Sequence, residues 1–309
     1  MTSDPQQSAV ARLRRSVRAV RSGLRRYPSV LVSSFLEGSR GEHAAGDLDL
    51  LAMRSHALGL AWLGHAGVAA HLEGLTLAVD PVLSRRIGMK IGSRIVGPAR
   101  LQPAPADAAS LRGLDLVLLT HAHFDHLDKP TLMQIACSTT LVIVPPGCEG
   151  LVPPGFARVV TLAPGRSFRV QDATITAVEP RHWGARTVLD RRRGVSSYLI
   201  ESGDLRLLFA GDTAATDIFE TLGAVDVAAF GIGAYEPWNH MHATPEEVWD
   251  MAMGMGARRL LPIHHSTFEL SDEPASEPME RLLKRASRDR VLDVAAGDVV
   301  GVLSELESG

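Results

Sequence analysis

Leu116-Val117-Leu118-Leu119-Thr120-His121-Ala122-His123-Phe124-Asp125-His126-Leu127-Asp128 is an apolar run that gives way to a loop dense in ligand-type side chains. Leu116 to Leu119 reads as a buried strand. His121, His123, Asp125 and His126 then follow closely. Neutral imidazoles and ionised carboxylates suit a borderline divalent ion such as zinc. In an extended loop, residues two apart point the same way, so His121 and His123 converge on one ion. Asp125 and His126 aim at a neighbouring position, which implies two metals.

The 309-residue chain is 45% hydrophobic and 22% charged, with a net charge of −3. That supplies core for one large α/β domain or two small ones. It provides no global basic field to attract nucleic acid. Cys137 and Cys148 are not spaced as Cys-x-x-Cys. A disulfide scaffold or cysteine zinc site is therefore not expected, and a reducing cytoplasm is. No apolar run approaches the ~18 residues that span a bilayer. The N-terminus lacks the order of a signal peptide, and Arg25-Arg26 makes a poor twin-arginine signal because Pro28 and serines interrupt the run after it.

Within residues 9–26, Val10, Leu13, Val17, Val20 and Leu24 recur at three- and four-residue steps among Arg12, Arg14, Arg15, Arg18, Arg21, Arg25 and Arg26. This predicts a basic amphipathic helix. It either lies on an anionic membrane surface or packs on the domain with its arginines in water. Small apolar side chains and the lack of an aromatic anchor favour packing. Ser33 to Ala57 reads as an irregular lead-in, so residues 1–57 precede a domain that covers 58–309.

Within that domain, strands are expected at 60–63, 68–72, 75–79, 141–144, 158–161, 167–170, 173–178, 196–201, 205–210, 226–230, 259–263 and near 299–303. Helices are expected at 130–136, after a Thr244-Pro245 cap with Glu247, and over about a dozen residues from Glu277. Several ligand-type residues stand where an apolar strand ends: His182, Asp212 and the pair His264-His265. Asp80, before Pro81, is either a carboxylate that orients a ligating histidine or a turn residue. His65, in Gly64-His65-Ala66-Gly67, reads as a hydrogen-bonded structural histidine.

His-Ala-His-Phe-Asp-His resembles the His-x-His-x-Asp-His signature of the metallo-β-lactamase superfamily, and the later order His182, Asp212, His264 resembles the rest of its ligand set. The resemblance implies a four-layered αββα sandwich, an α/β fold, for residues 58–309, with a dinuclear site at one edge. It implies that His121, His123 and His182 hold one ion, that Asp125, His126 and His264 hold the other, and that Asp212 bridges them. The implied cofactors are two divalent ions, Zn2+ first, with Mn2+ or Fe2+ also suited to these donors. A hydroxide shared by the ions is the implied nucleophile. Asp125 and His242 are the candidates for protonating the leaving group. His264 is preferred to His265 because it comes first after the strand.

Trp62 to Gly67, Asp80 to Ser84, Gly97 to Arg100, Arg181 to Trp183, Phe209 to Thr213, Ile232 to Pro237 and His242 to Glu247 resemble one subgroup. It includes N-acylphosphatidylethanolamine-hydrolysing phospholipase D. The resemblance implies a phosphodiesterase with a small-molecule or phospholipid substrate, and residues 9–26 as a peripheral membrane contact. A lactonase or other carbonyl hydrolase is the first alternative. A non-catalytic, membrane-associated metal protein is the second, disfavoured because structural zinc is closed by four ligands whereas seven shared by two ions leave positions open. A β-lactamase proper is not expected, since no cysteine stands near Asp212.

Overall fold

The computed structural model describes residues 21, 28–34, 48–187, 190 and 193–302. Apart from Arg21, the basic helix expected over 9–26 lies outside the described residues. The chain from residue 48 opens with a short helix, α1 (Leu50–Arg54), then β1 (Leu58–Gly64), β2 (Gly67–Leu72) and β3 (Leu75–Val79). These strands are buried throughout, which is why they read as near-continuous apolar runs rather than alternating ones. A small hairpin follows, β4 (Met89–Ile91) with β5 (Arg94–Val96). After β6 (Leu116–Leu118) come α2 (Lys129–Ile135), β7 (Leu141–Val144) and β8 (Arg158–Thr161). The second half runs β9 (Ser167–Val170), β10 (Ala173–Val178), β11 (Ser197–Ser202), β12 (Leu205–Gly211) and β13 (Val227–Gly231). It ends with α3 (Pro245–Gly254), β14 (Arg259–Ile263), α4 (Glu277–Arg285) and β15 (Val299–Gly301).

The strands form a seven-stranded sheet, β15-β1-β2-β3-β6-β7-β8, and a six-stranded sheet, β14-β13-β12-β11-β10-β9. Between them Leu60, Trp62, Leu77 and Leu118 meet Ile175, Tyr198, Phe209 and Leu261. Met53 of α1 and Leu132 and Ile135 of α2 cover the outer face of the first sheet. Val248 and Trp249 of α3 and Leu282 of α4 cover the outer face of the second. The four-layered αββα order is therefore the one observed. A Thr244–Glu247 capping box starts α3, as expected. Arg281 ties α4 to α3 through both oxygens of Glu246, at 2.9 and 2.7 Å.

Three details differ from the sequence expectation. The stretch read as irregular, 33–57, contains α1, whose Met53 is fully buried. The β4–β5 hairpin was not anticipated. The last helix stops after nine residues, at Arg285. Among the described residues, no helix is long and apolar enough to cross a membrane.

In each sheet, the strands that precede candidate residues run in one direction: β1, β3 and β6 in the first, and β10, β12, β13 and β14 in the second. Their C-terminal ends deliver His65, Asp80, His121, His182, Asp212 and His264 to a common edge.

Candidate metal centre

The ligand loop leaves β6 as a tight turn, in which the amides of His126 and Leu127 donate to the His123 carbonyl at 3.2 and 2.9 Å. Arg186 braces it from outside, donating to the carbonyls of Ala122 (2.8 Å) and Leu127 (2.9 Å) with its guanidinium 4.2 Å over the Phe124 ring. No sequence signal marked that arginine. Asp80 braces it from beneath. One carboxylate oxygen accepts from the Thr120 amide at 2.8 Å; the other accepts from the Thr120 hydroxyl at 2.5 Å and from His126 Nδ1 at 2.7 Å. Asp80 thus acts as the orienting carboxylate, although its φ of +42° also makes it a turn residue. With one proton held on Nδ1 by Asp80, His126 turns Nε2 inward as the atom that would bind a cation in place of a second proton. His182 is set the same way, since its Nδ1 lies 3.0 Å from the Met241 carbonyl.

Asp212 occupies the middle. Its Oδ2 is 3.8 Å from His121 Nε2, 3.7 Å from His182 Nε2 and 3.2 Å from His126 Nε2, while Oδ1 is 3.3 Å from His264 Nε2. His123 Nδ1 lies 2.8 Å from His121 Nε2 and 3.4 Å from His182 Nε2. Asp125 Oδ2 lies 3.4 Å from His264 Nε2 and 3.8 Å from His126 Nε2. The seven residues named from the sequence as a ligand set therefore meet, in one group of His121, His123, His182 and Asp212 and a second containing Asp125, His126 and His264. Two glycines permit this approach. Gly211 has φ +60°, and a Cβ there would stand 3.0 Å from Thr120. A Cβ on Gly233 would meet the His264 carbonyl at 2.3 Å.

His242, the second candidate for proton transfer, comes within 3.8 Å of Asp212 Oδ2. His265 turns away and stacks on Trp62, with ring centroids 4.7 Å apart. His65, expected to be a hydrogen-bonded structural histidine, has its hydrogen bond inside the site: its Nε2 is 3.0 Å from Asp125 Oδ2. The sequence carried only its place in a glycine turn as a signal.

Three converging atoms, His126 Nε2, Asp212 Oδ1 and His264 Nε2, are buried without a hydrogen-bond partner. Leaving such an atom unpaired costs about 1–3 kcal/mol. Cations held among them would supply the missing partners, and the donor types are those of zinc-class sites. The residues present therefore fit a pair of divalent ions.

The electrostatics agree for His121, His123, His182, Asp125 and Asp212, while His126 and His264 are raised and would give up a proton to a bound cation. Burial, reinforced by neighbouring imidazoles, pushes His121 well below the usual imidazole value, and burial does the same to His182 against the pull of Asp212. Burial alone would raise Asp125 and Asp212, but His126 and the other imidazoles outweigh it and hold both well below the usual carboxylate range. His126 moves the other way: Asp212 and Asp80 raise it against its burial. Neutral imidazoles and ionised carboxylates are the states that bind metal.

A pH dependence follows. Burial pushes His65 down to about 3, His242 to about 4 and His265 to about 4, from an ordinary value of 6.5. Below 6.5 the unfolded chain takes these protons and the folded chain does not, so stability present above 6.5 is lost as pH falls towards 4. His126 and His264, which are raised, are protonated in both states in the lower part of that window and add no slope there. The melting temperature of metal-free protein should fall steadily from pH 6 to pH 4; a flat profile by differential scanning fluorimetry would contradict this assignment.

A cavity of about 470 Å³ opens over the cluster. His123, Asp125, Asp212, His242 and His264 line it together with Trp183, Ala234, Trp238, His240, Met241 and Leu270. Among the described residues, none that lines it is lysine or arginine. Trp183 is half-exposed, and its ring stands edge-on to His123 at 5.3 Å.

Residues 75–265 match the family described as the β-lactamase superfamily domain. An uncharacterised protein of Mycobacterium tuberculosis is 33% identical over 252 residues, covering 76% of this chain and 65% of that one. An N-acyl-phosphatidylethanolamine-hydrolyzing phospholipase D of Caenorhabditis elegans is 31% identical over 243 residues, covering 72% of this chain and 67% of that one. Among solved structures, a metallo hydrolase from the archaeon Ignicoccus hospitalis superposes with a TM-score of 0.59 at 19% identity, over 79% of this chain and 97% of the other. That last likeness is one of fold.

Proposed function

The chain belongs to the β-lactamase superfamily, and on that footing we propose that it is a dinuclear-metal-dependent hydrolase, a phosphodiesterase of the phospholipase D-like type. The observation that carries this reading is the meeting of His121, His123, Asp125, His126, His182, Asp212 and His264 beneath one open cavity. His121, His123 and His182 would hold one ion, Asp125, His126 and His264 the other, with Asp212 shared. The chemistry such ions supply is a water acidified towards a pKa of roughly 7 and stabilisation of charge on the attacked oxygen.

The chain's own residues do the rest. Asp80 and the Met241 carbonyl fix the tautomers of His126 and His182. Asp125, kept ionised, can take the proton of the attacking water at a carboxylate oxygen and pass it to the leaving group. His242, neutral at pH 7 because burial holds it near 4, offers an N–H to the leaving oxygen. Trp183, Trp238, Met241 and Leu270 give the cavity apolar surface for an apolar substituent.

Among the described residues the lining holds no lysine or arginine, which supports a diester over a phosphorylated sugar lactone. A diester bears one negative charge at the reacting phosphorus, where cations neutralise it. A remote phosphate group would need a basic partner of its own. The same apolar lining suits an uncharged lactone or carboxylic ester, which is the second reading. A cavity open above the donors counts against a purely structural metal protein. If the substrate is a phospholipid, residues 9–26 would contact the anionic membrane surface.

Metal-reconstituted protein assayed on bis-p-nitrophenyl phosphate beside a lactone panel tests the proposal. Turnover of the diester supports it, turnover of lactones alone supports the second reading, and inactivity on both rejects each. His242→Gln should keep the wild-type metal content and lower kcat about 10²-fold; an unchanged kcat would remove His242 from the reaction.

A further inference from the structure

We propose that His65 is a positioning residue for the second ion: its ring holds Asp125 in ligating orientation while its backbone sets His264. The proposal rests on the two-ion reading above. His65 has a φ of +54°, in the left-handed region that glycine or asparagine occupies comfortably. The preceding Gly64, at φ +81°, is a glycine both for that backbone conformation and because a Cβ would run into the Arg100 guanidinium, whereas His65 carries a full side chain in the same region. A histidine at the next position points to work done by its ring.

The ring is 1% exposed, and Nε2 lies 3.0 Å from Asp125 Oδ2. An ionised carboxylate only accepts, so Nε2 carries the proton and donates. Nδ1 is buried without a partner, which leaves the bond to Asp125 as the ring's one hydrogen bond. The ring is wedged 4.1 Å from the His264 ring and 5.2 Å edge-on to Phe268. The backbone is pinned as well. The His65 amide donates to Thr267 Oγ1 at 2.6 Å, and its carbonyl accepts from Trp62 Nε1 and from the amide of His264, both at 2.8 Å. One residue thus fixes two donors of the same group, Asp125 through its side chain and His264 through its main chain. Although His65 Nε2 lies within that group, it is engaged by the carboxylate and acts through it.

The test compares full-length wild type, His65→Ala and His65→Gln, the last of which carries an N–H at similar reach. Readouts are bound metal per chain by plasma mass spectrometry, zinc affinity by chelator competition, Co2+ absorption, and melting temperature in chelator. Wild type should bind two ions. His65→Ala should keep one at wild-type affinity and bind the second 10–100-fold more weakly, and His65→Gln should recover most of that loss. Two ions bound with unchanged affinity in His65→Ala would overturn the proposal, as would failure of glutamine to restore the second ion. A lowered chelator melting temperature with metal binding intact would mark a merely structural role and would also overturn it. Fewer than two ions in the wild type would instead overturn the two-ion reading itself.

Discussion

His123→Ala protein should lose bound metal and hydrolyse bis-p-nitrophenyl phosphate about 10³-fold more slowly than the parent, the rate equivalent of losing about 4 kcal/mol of charge stabilisation. His123 enters its group through Nδ1, against Nε2 of both His121 and His182. Trp183, its neighbour across the cavity, offers no metal-binding atom in that place. The alanine opens a space that joins the existing cavity, so water fills it and folding is spared. Melting in chelator should therefore match wild type, while metal content and rate both drop. Full activity with full metal content would reject the assignment of His123.

The second large effect is expected at Asp80. Its carboxylate is 1% exposed and accepts from the Thr120 amide, the Thr120 hydroxyl and His126. Asp80→Ala strands all three donors in a buried layer. The expected loss is about 3–5 kcal/mol of unfolding free energy, measured by urea denaturation in chelator. Asp80→Asn should cost less stability, because its amide oxygen still accepts from Thr120. It should nevertheless weaken metal binding 10–100-fold, since its NH2 group cannot accept the His126 Nδ1 proton. Stability within 0.5 kcal/mol of wild type for the alanine variant would show that Asp80 is only a turn residue.

Much of the architecture was legible because the central strands are buried on both faces. Leu75–Val79 and Leu141–Val144 could be read directly as apolar runs closed by Asp80-Pro81 and Pro145-Pro146. The ligand loop was legible because its donors are adjacent in sequence. His182, Asp212 and His264 became readable only in combination, each at a strand end. What escaped reading depends on partners distant in the chain. Arg186 grips carbonyls some sixty positions earlier and leaves no periodic trace. Asp80 as turn residue and Asp80 as orienting carboxylate look alike until His126 is seen against it. For His65 the sequence shows a histidine in a glycine turn but not its partner, since Asp125 is its neighbour only in space. Helix α1 and strands β4 and β5 are five and three residues long, too short to show a period.

The central claim is that seven side chains from four loops hold two cations. Anomalous diffraction at the metal absorption edge, from crystals of reconstituted protein, tests it most directly. The account predicts two peaks, one among His121, His123, His182 and Asp212 and the other among Asp125, His126, His264 and Asp212. A single peak, or none within this cluster, would contradict it.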